Sequence, residues 1–165
     1  MPIATNEIKL LCSASANSLG GAVTATAAGT SLFDKITGLE AATGRAEYRC
    51  IYVRNDDPAL ALESAVLSVQ SDSTSPRTAL AVGVGTASMN ATEQLIGAET
   101  SAPVGVMFGT SAALGTIPAG QVRSAWIRRT VTAGAAALAA DAATLRVTGG
   151  YSESGTGEPE TFLTN

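Results

Sequence analysis

The chain has 165 residues, a net charge of −4, and is 45% hydrophobic, 15% charged and 4% aromatic. That length allows one domain whose core needs neither disulfides nor metal, and the balance excludes wholesale disorder. Histidine is absent and cysteine occurs twice, which excludes His-based triads, His–metal sites and four-ligand zinc centres, while an acidic pI of about 4.7 lacks the electrostatic footprint of a nucleic-acid binder.

Residues 1–6 carry no basic region and the apolar run 8–12 contains Lys9, so no secretory leader is read. No stretch approaches the ~20 apolar residues of a membrane span. The expectation is a soluble protein made in the cytoplasm, with Cys12 and Cys50 as two buried thiols in preference to a disulfide, which stays the alternative. Ile8, Leu10, Cys12 and Ala14 alternate with mostly polar residues and predict a first strand. Residues 13–31, rich in Ala, Ser, Thr and Gly, read as a long connection or extended arm. Residues 31–42 allow a short turn of helix interrupted by Gly38, with Gly44 after it.

Residues 46–55 and 121–131 predict two strands richer in large side chains, with apolar and charged groups on both faces. Central strands of a sandwich with one face partly covered have that pattern. Between them, Ala65, Leu67 and Val69 alternate as a half-buried strand. In 78–85, Leu80, Val82 and Val84 oppose Ala79, Ala81 and Gly83. In 103–109, Val104, Val106 and Phe108 oppose Gly105, Met107 and Gly109. Small residues on one face admit a second backbone, giving either a bulged strand under a loop or a flat surface for a neighbouring subunit. Residues 133–143 read as a loop with at most one or two helical turns, and Leu145 and Val147 mark a last strand. The polar, acidic residues 149–165 are either disordered or an arm ordered against a partner. Turn signals fall at Asn55-Asp56-Asp57-Pro58, Ser71 to Pro76, and Ile117-Pro118-Ala119-Gly120.

The expected fold is all-β: an antiparallel sandwich or jelly roll with extended N- and C-terminal arms. It divides into 1–30 (strand and arm or connection), 31–150 (sandwich) and 151–165 (polar tail). Possible chemistry is sparse. Asp34, Glu40 and Glu47 lie near one another in sequence, but Asp56-Asp57 before Pro58 is ordinary turn chemistry. Gly83-Val84-Gly85 and Gly20-Gly21 lack the Lys-Ser/Thr of a phosphate loop. Gly105 to Gly109 spells a small-residue spacing, but in a strand-like segment. No catalytic, cofactor-binding or metal-binding residue is assigned, and no cofactor is expected. Arg45, Arg49 and Arg54 cluster on one predicted strand and Arg123, Arg128 and Arg129 on another. Either they face solvent with local ion pairs, or they grip acidic residues of a partner.

Leu32-Phe33-Asp34-Lys35-Ile36-Thr37-Gly38-Leu39-Glu40-Ala41-Ala42, followed by Glu47-Tyr48-Arg49-Cys50-Ile51-Tyr52-Val53-Arg54-Asn55, resembles a pattern in small structural proteins of tailed bacteriophages. Ile117-Pro118-Ala119-Gly120-Gln121, Ala125-Trp126-Ile127-Arg128-Arg129-Thr130-Val131 and Ala143-Thr144-Leu145-Arg146-Val147 are similar to the same group. The resemblance covers about 31–150. It implies a non-enzymatic virion protein with a sandwich or jelly-roll fold, with capsid decoration (cement) proteins the preferred subgroup. The partners would be the major capsid protein or other virion proteins and further copies of the chain, as a dimer or trimer, with neither nucleic acid nor membrane. Partner contacts are expected at Arg123, Arg128 and Arg129, at Met1, Pro2 and Ile3, and at Tyr151 and Phe162. The alternatives are a tail, baseplate or head–tail connector component, and a carbohydrate-binding sandwich module.

Overall fold

The computed structural model describes residues 2–29, 31–73, 77–134, 142–151 and 160–164, the last segment as backbone. Its strands are β1 (Ile8–Ser13), β2 (Val23–Ala27), β3 (Arg45–Asn55), β4 (Leu62–Ser71), β5 (Thr78–Val84), β6 (Ser111–Ile117), β7 (Val122–Val131), β8 (Thr144–Gly150) and β9 (Glu160–Thr164), with one short helix, α1 (Gly38–Thr43). They form a five-stranded sheet, β2-β1-β3-β7-β5, and a four-stranded sheet, β6-β4-β8-β9. Every pairing between them is antiparallel. The all-β sandwich expected from the alternation is the fold the chain forms.

Period-two alternation decides what lies between the sheets. Ile8, Leu10, Ile51, Val53, Val82 and Ile127 point inward from the five-stranded sheet and meet Leu62, Leu67, Leu114, Ile117 and Val147 from the other. Each such side chain contributes roughly 1.5–3 kcal/mol by leaving water. Bulges adjust the alternation where it would fail. Ser64 takes a φ of 49°, the β4 register shifts there, and Leu62 and Ala65 both become fully buried. Asn55, wholly buried, fastens the sheets together: its amide donates to the carbonyls of Leu60 (2.8 Å) and Ile117 (3.0 Å).

Several expectations are corrected. The chain from 13 to 31 is not an arm, because β2 pairs with β1. VTATA offers one large apolar residue and half-exposed positions, too little for a pattern. The strand β6 escapes notice because Gly115, at φ 77°, breaks its alternation and brings Leu114 and Ile117 inward three residues apart. Residues 103–109 are not a strand. Gly105 takes a φ of 75°, and only Gly109 pairs, with Val82. Gly38 does not interrupt a helix but begins one, since Thr37 and Glu40 close a capping box at its start. Among the described residues the ends are not extended arms: Ile3 is buried in the core, and β9, placed in the expected tail, pairs with β8. Most of the expected loop 133–143 lies outside the described residues.

Candidate functional site

Pairing between β1 and β3 involves only residues 51–55 of β3, so the first half of β3 is open on that side. The long connection from β5 to β6 fills it. The Glu99 carbonyl accepts the Tyr48 N–H at 2.7 Å, and its carboxylate accepts Arg49 at 2.7 Å. Around this point Arg45 binds Glu40 (2.5 Å) and Glu47 (2.8 Å) as well as Glu99. Glu47 also pairs with Arg129, its cross-strand neighbour on β7. The Phe33 ring lies under two guanidinium groups, 5.1 Å from Arg49 and 4.7 Å from Arg129. The Arg49 side chain is 1% exposed and that of Glu47 3%, so the ions must compensate one another, for an unpaired buried charge costs several kcal/mol. Arg49, hydrogen bonded to Glu99, holds that carboxyl below its ordinary range. Glu40 is lowered first by the Thr37 N–H. Carboxylate oxygens of Glu40, Glu47 and Glu99 lie within 4.8 Å of one another, but the Arg45 guanidinium contacts all three and already supplies the cation.

The connection itself, residues 85–110, lies over the outer face of the five-stranded sheet. Leu11, Cys50, Tyr52, Val122 and Trp126 form a second buried cluster there, covered by Ile96, Val106 and Phe108. Glu93, 2% exposed, fastens this cover. One oxygen accepts the Ser124 hydroxyl (2.5 Å) and the Ala87 N–H (3.1 Å), the other Thr86 Oγ1 (3.0 Å) and the Gln94 N–H (3.1 Å). Burial pushes this carboxyl up, yet the hydrogen bonds outweigh it and leave it below its ordinary value. The Glu93 N–H donates to the Tyr52 hydroxyl at 2.9 Å. Gly21 bridges to Glu93, and the Ile96 N–H reaches the Leu19 carbonyl at 3.0 Å.

Of the residues expected at a partner, Arg123, Arg128, Arg129 and Tyr151 are half-buried and make contacts within the chain. Arg123 donates to the carbonyls of Ala87 (2.6 Å) and Gly85 (3.4 Å), so it pins the connection. Arg129 pairs with Glu47 and donates to the Asp34 carbonyl at 2.8 Å. Arg128 lies 5.2 Å from the Phe108 ring centre. Ile3, 2% exposed, is not available to a partner, whereas Pro2 is exposed. Tyr151 is half-buried against the core. Phe162 stands opposite Val147 in the β8–β9 register, its side chain outside the described residues, as is Met1. The sequence reading missed the Glu93 fastening and the second cluster. Their signal was present: between Arg77 and Arg123 the only charged residues are Glu93 and Glu99, and a charge-poor stretch with scattered apolar residues is one that packs.

A shallow groove of about 320 Å³ is lined by Cys12, Ser13, Thr24, Thr26, Leu32 and Asp34 among others. Both cysteines are free, Cys12 half-buried and Cys50 buried; burial pushes the Cys50 thiol far above its ordinary range, away from the nucleophilic thiolate. Of the aromatic rings whose side chains are described, Trp126 and Tyr52 are buried and Phe33, Tyr48, Phe108 and Tyr151 half-buried. Among the described residues, no helix is long and apolar enough to cross a membrane. No protein-family model, curated protein or solved structure matches this chain.

Proposed function

We propose that the protein is a non-enzymatic structural component of a tailed-phage virion, a capsid decoration (cement) protein that bridges adjacent capsid subunits. The residue runs of 31–150 that resemble small phage structural proteins point this way. The observation that carries the reading is the disposition of polar groups. Buried Arg49 and Glu47 and half-buried Arg45, Arg129, Glu40 and Glu99 neutralise one another within the fold, and Glu93 is spent on fastening a connection. With these ions paired among themselves, the fold suits a role made of many weak contacts summed by multivalency. In the decoration reading the protein acts on the outside of the shell after synthesis in the host cytoplasm.

The test mixes purified protein with shells that lack it. Saturable binding, at a copy number comparable to that of the major capsid protein, and a raised thermal transition of the shell are expected. Shells that neither bind the protein nor gain thermal resistance would refute the cement role.

A further inference from the structure

The arginines are partnered in different ways. Arg45, Arg49, Arg54 and Arg129 are ion-paired, and Arg77 and Arg123 donate to backbone carbonyls. Arg128 does neither. Its guanidinium lies 5.2 Å from the centre of the Phe108 ring, its Nε is buried without an acceptor, and among the described residues no carboxylate or carbonyl meets its terminal nitrogens. Arg146 shares this condition, but it stands beside β9, whose side chains lie outside the described residues. Stacking engages only the face of a guanidinium, while its N–H donors point outward in the plane. The terminal nitrogens of Arg128 are not among the buried unpartnered atoms, so they reach solvent.

Arg128 stands on the outer face of the five-stranded sheet, directly opposite Tyr48 on β3 and Ala81 on β5. Opposed side chains on one face have Cβ atoms about 4.5–5.5 Å apart. The Tyr48 ring packs on the same Phe108, with 5.5 Å between ring centres, and its hydroxyl has no partner among the described residues. Phe108 is held in turn by Gly109, whose N–H and carbonyl both bond to Val82, at 2.9 and 2.8 Å. One fixed ring thus places a cation and a hydroxyl side by side with their donors free. The surroundings select the ligand. Tyr48, Ala81, Trp126 and Thr130 around Arg128 are uncharged, so its anion comes from outside. A single positive charge is neutralised by a monoanion, whereas a dianion leaves one charge uncompensated. The planar fork of a guanidinium matches the two oxygens of a carboxylate, and the phenol adds a further donor. A nucleic-acid backbone would need a run of such cations, on a molecule whose net charge is −4.

We infer that Arg128 and Tyr48 form a receptor for one carboxylate, the side chain of an aspartate or glutamate on a partner polypeptide. One ion pair at a half-exposed site is too weak to retain a free small acid, so the site gains force inside a larger protein contact. This deepens the decoration reading by naming one anchor, and rests on that reading only for the identity of the partner. In the isolated protein, NMR follows the Arg128 Nε–H resonance, assigned by its loss in Arg128→Lys, during titration at pH 6. The probes are sodium acetate, the peptide acetyl-Leu-Glu-Leu-amide and inorganic phosphate, with sodium chloride at matched ionic strength as control. Acetate is expected to move the resonance saturably, with a Kd on the order of 100 mM, the peptide to bind more tightly, and chloride to leave it in place. Tyr48→Phe should weaken acetate binding about two- to tenfold, the worth of one hydrogen bond. A resonance indifferent to acetate, or moved equally by chloride, would overturn the site. Tighter binding of phosphate than of acetate would overturn the choice of carboxylate, and a peptide no tighter than acetate the choice of a polypeptide. The titration uses no shells, so its failure and that of the decoration reading are told apart.

Discussion

Replacing Glu93 by Gln tests whether one carboxylate holds the cover over the second core. The side chains are nearly isosteric, so packing is preserved and only the acceptor pattern changes. In the wild type each oxygen takes two donors, Ser124 with the Ala87 N–H and Thr86 with the Gln94 N–H. A glutamine keeps one oxygen for one pair and turns its NH2 towards the other. If the NH2 faces Ser124 and Ala87, the hydroxyl can rotate to accept, but the Ala87 N–H is left without an acceptor, at a cost of about 1–3 kcal/mol. The bonds that remain lose their charge assistance, which roughly halves their strength. Together these give about 3 kcal/mol, or a fall in Tm of roughly 6–12 °C for a domain of this size. Urea unfolding followed through Trp126, the single tryptophan, which sits in the covered cluster, measures it. Acid provides an internal control. The Glu93 carboxyl is lowered in the folded state, so its contribution is complete above the unfolded value of about 4.3 and fades as pH falls through the folded value. The gap between wild type and variant should therefore close below about pH 4. A loss under about 0.5 kcal/mol at neutral pH, the range of an ordinary surface substitution, would refute the fastening role.

Three further outcomes follow from the same contacts. Gly85→Ala places a Cβ 2.0 Å from Ser124 Oγ and 2.2 Å from the Glu93 carboxylate; it should cost about 1–3 kcal/mol in urea unfolding, while Gly97→Ala, with nothing within 4 Å, should stay within about 0.5 kcal/mol. Arg49→Met removes a buried cation from Glu99, leaves the Leu32 carbonyl without its 3.1 Å donor, and should cost about 3–5 kcal/mol in the same assay. In native protein, iodoacetamide followed by mass spectrometry should label the half-buried Cys12 and spare Cys50, which should react only after denaturation.

Parts of this architecture were legible because a local rule settled them. The period-two runs placed β1, β4, β5 and β8, and the mixed faces of 46–55 and 121–131 were correctly read as central strands with a partly covered outer face. Gly83 was readable as a point of close backbone approach, and the 103–109 segment supplies that backbone. What escaped depends on distant partners. Glu93 is an unremarkable acid until Ser124, from another strand, meets it. The β3 and β7 arginines have the composition of a solvated face or of an interface. Arg49 and Arg129 are covered because Glu99 and the Phe33 segment close over them. The strands β2 and β6, built of small residues with a bulge in each pairing, give no local pattern to read.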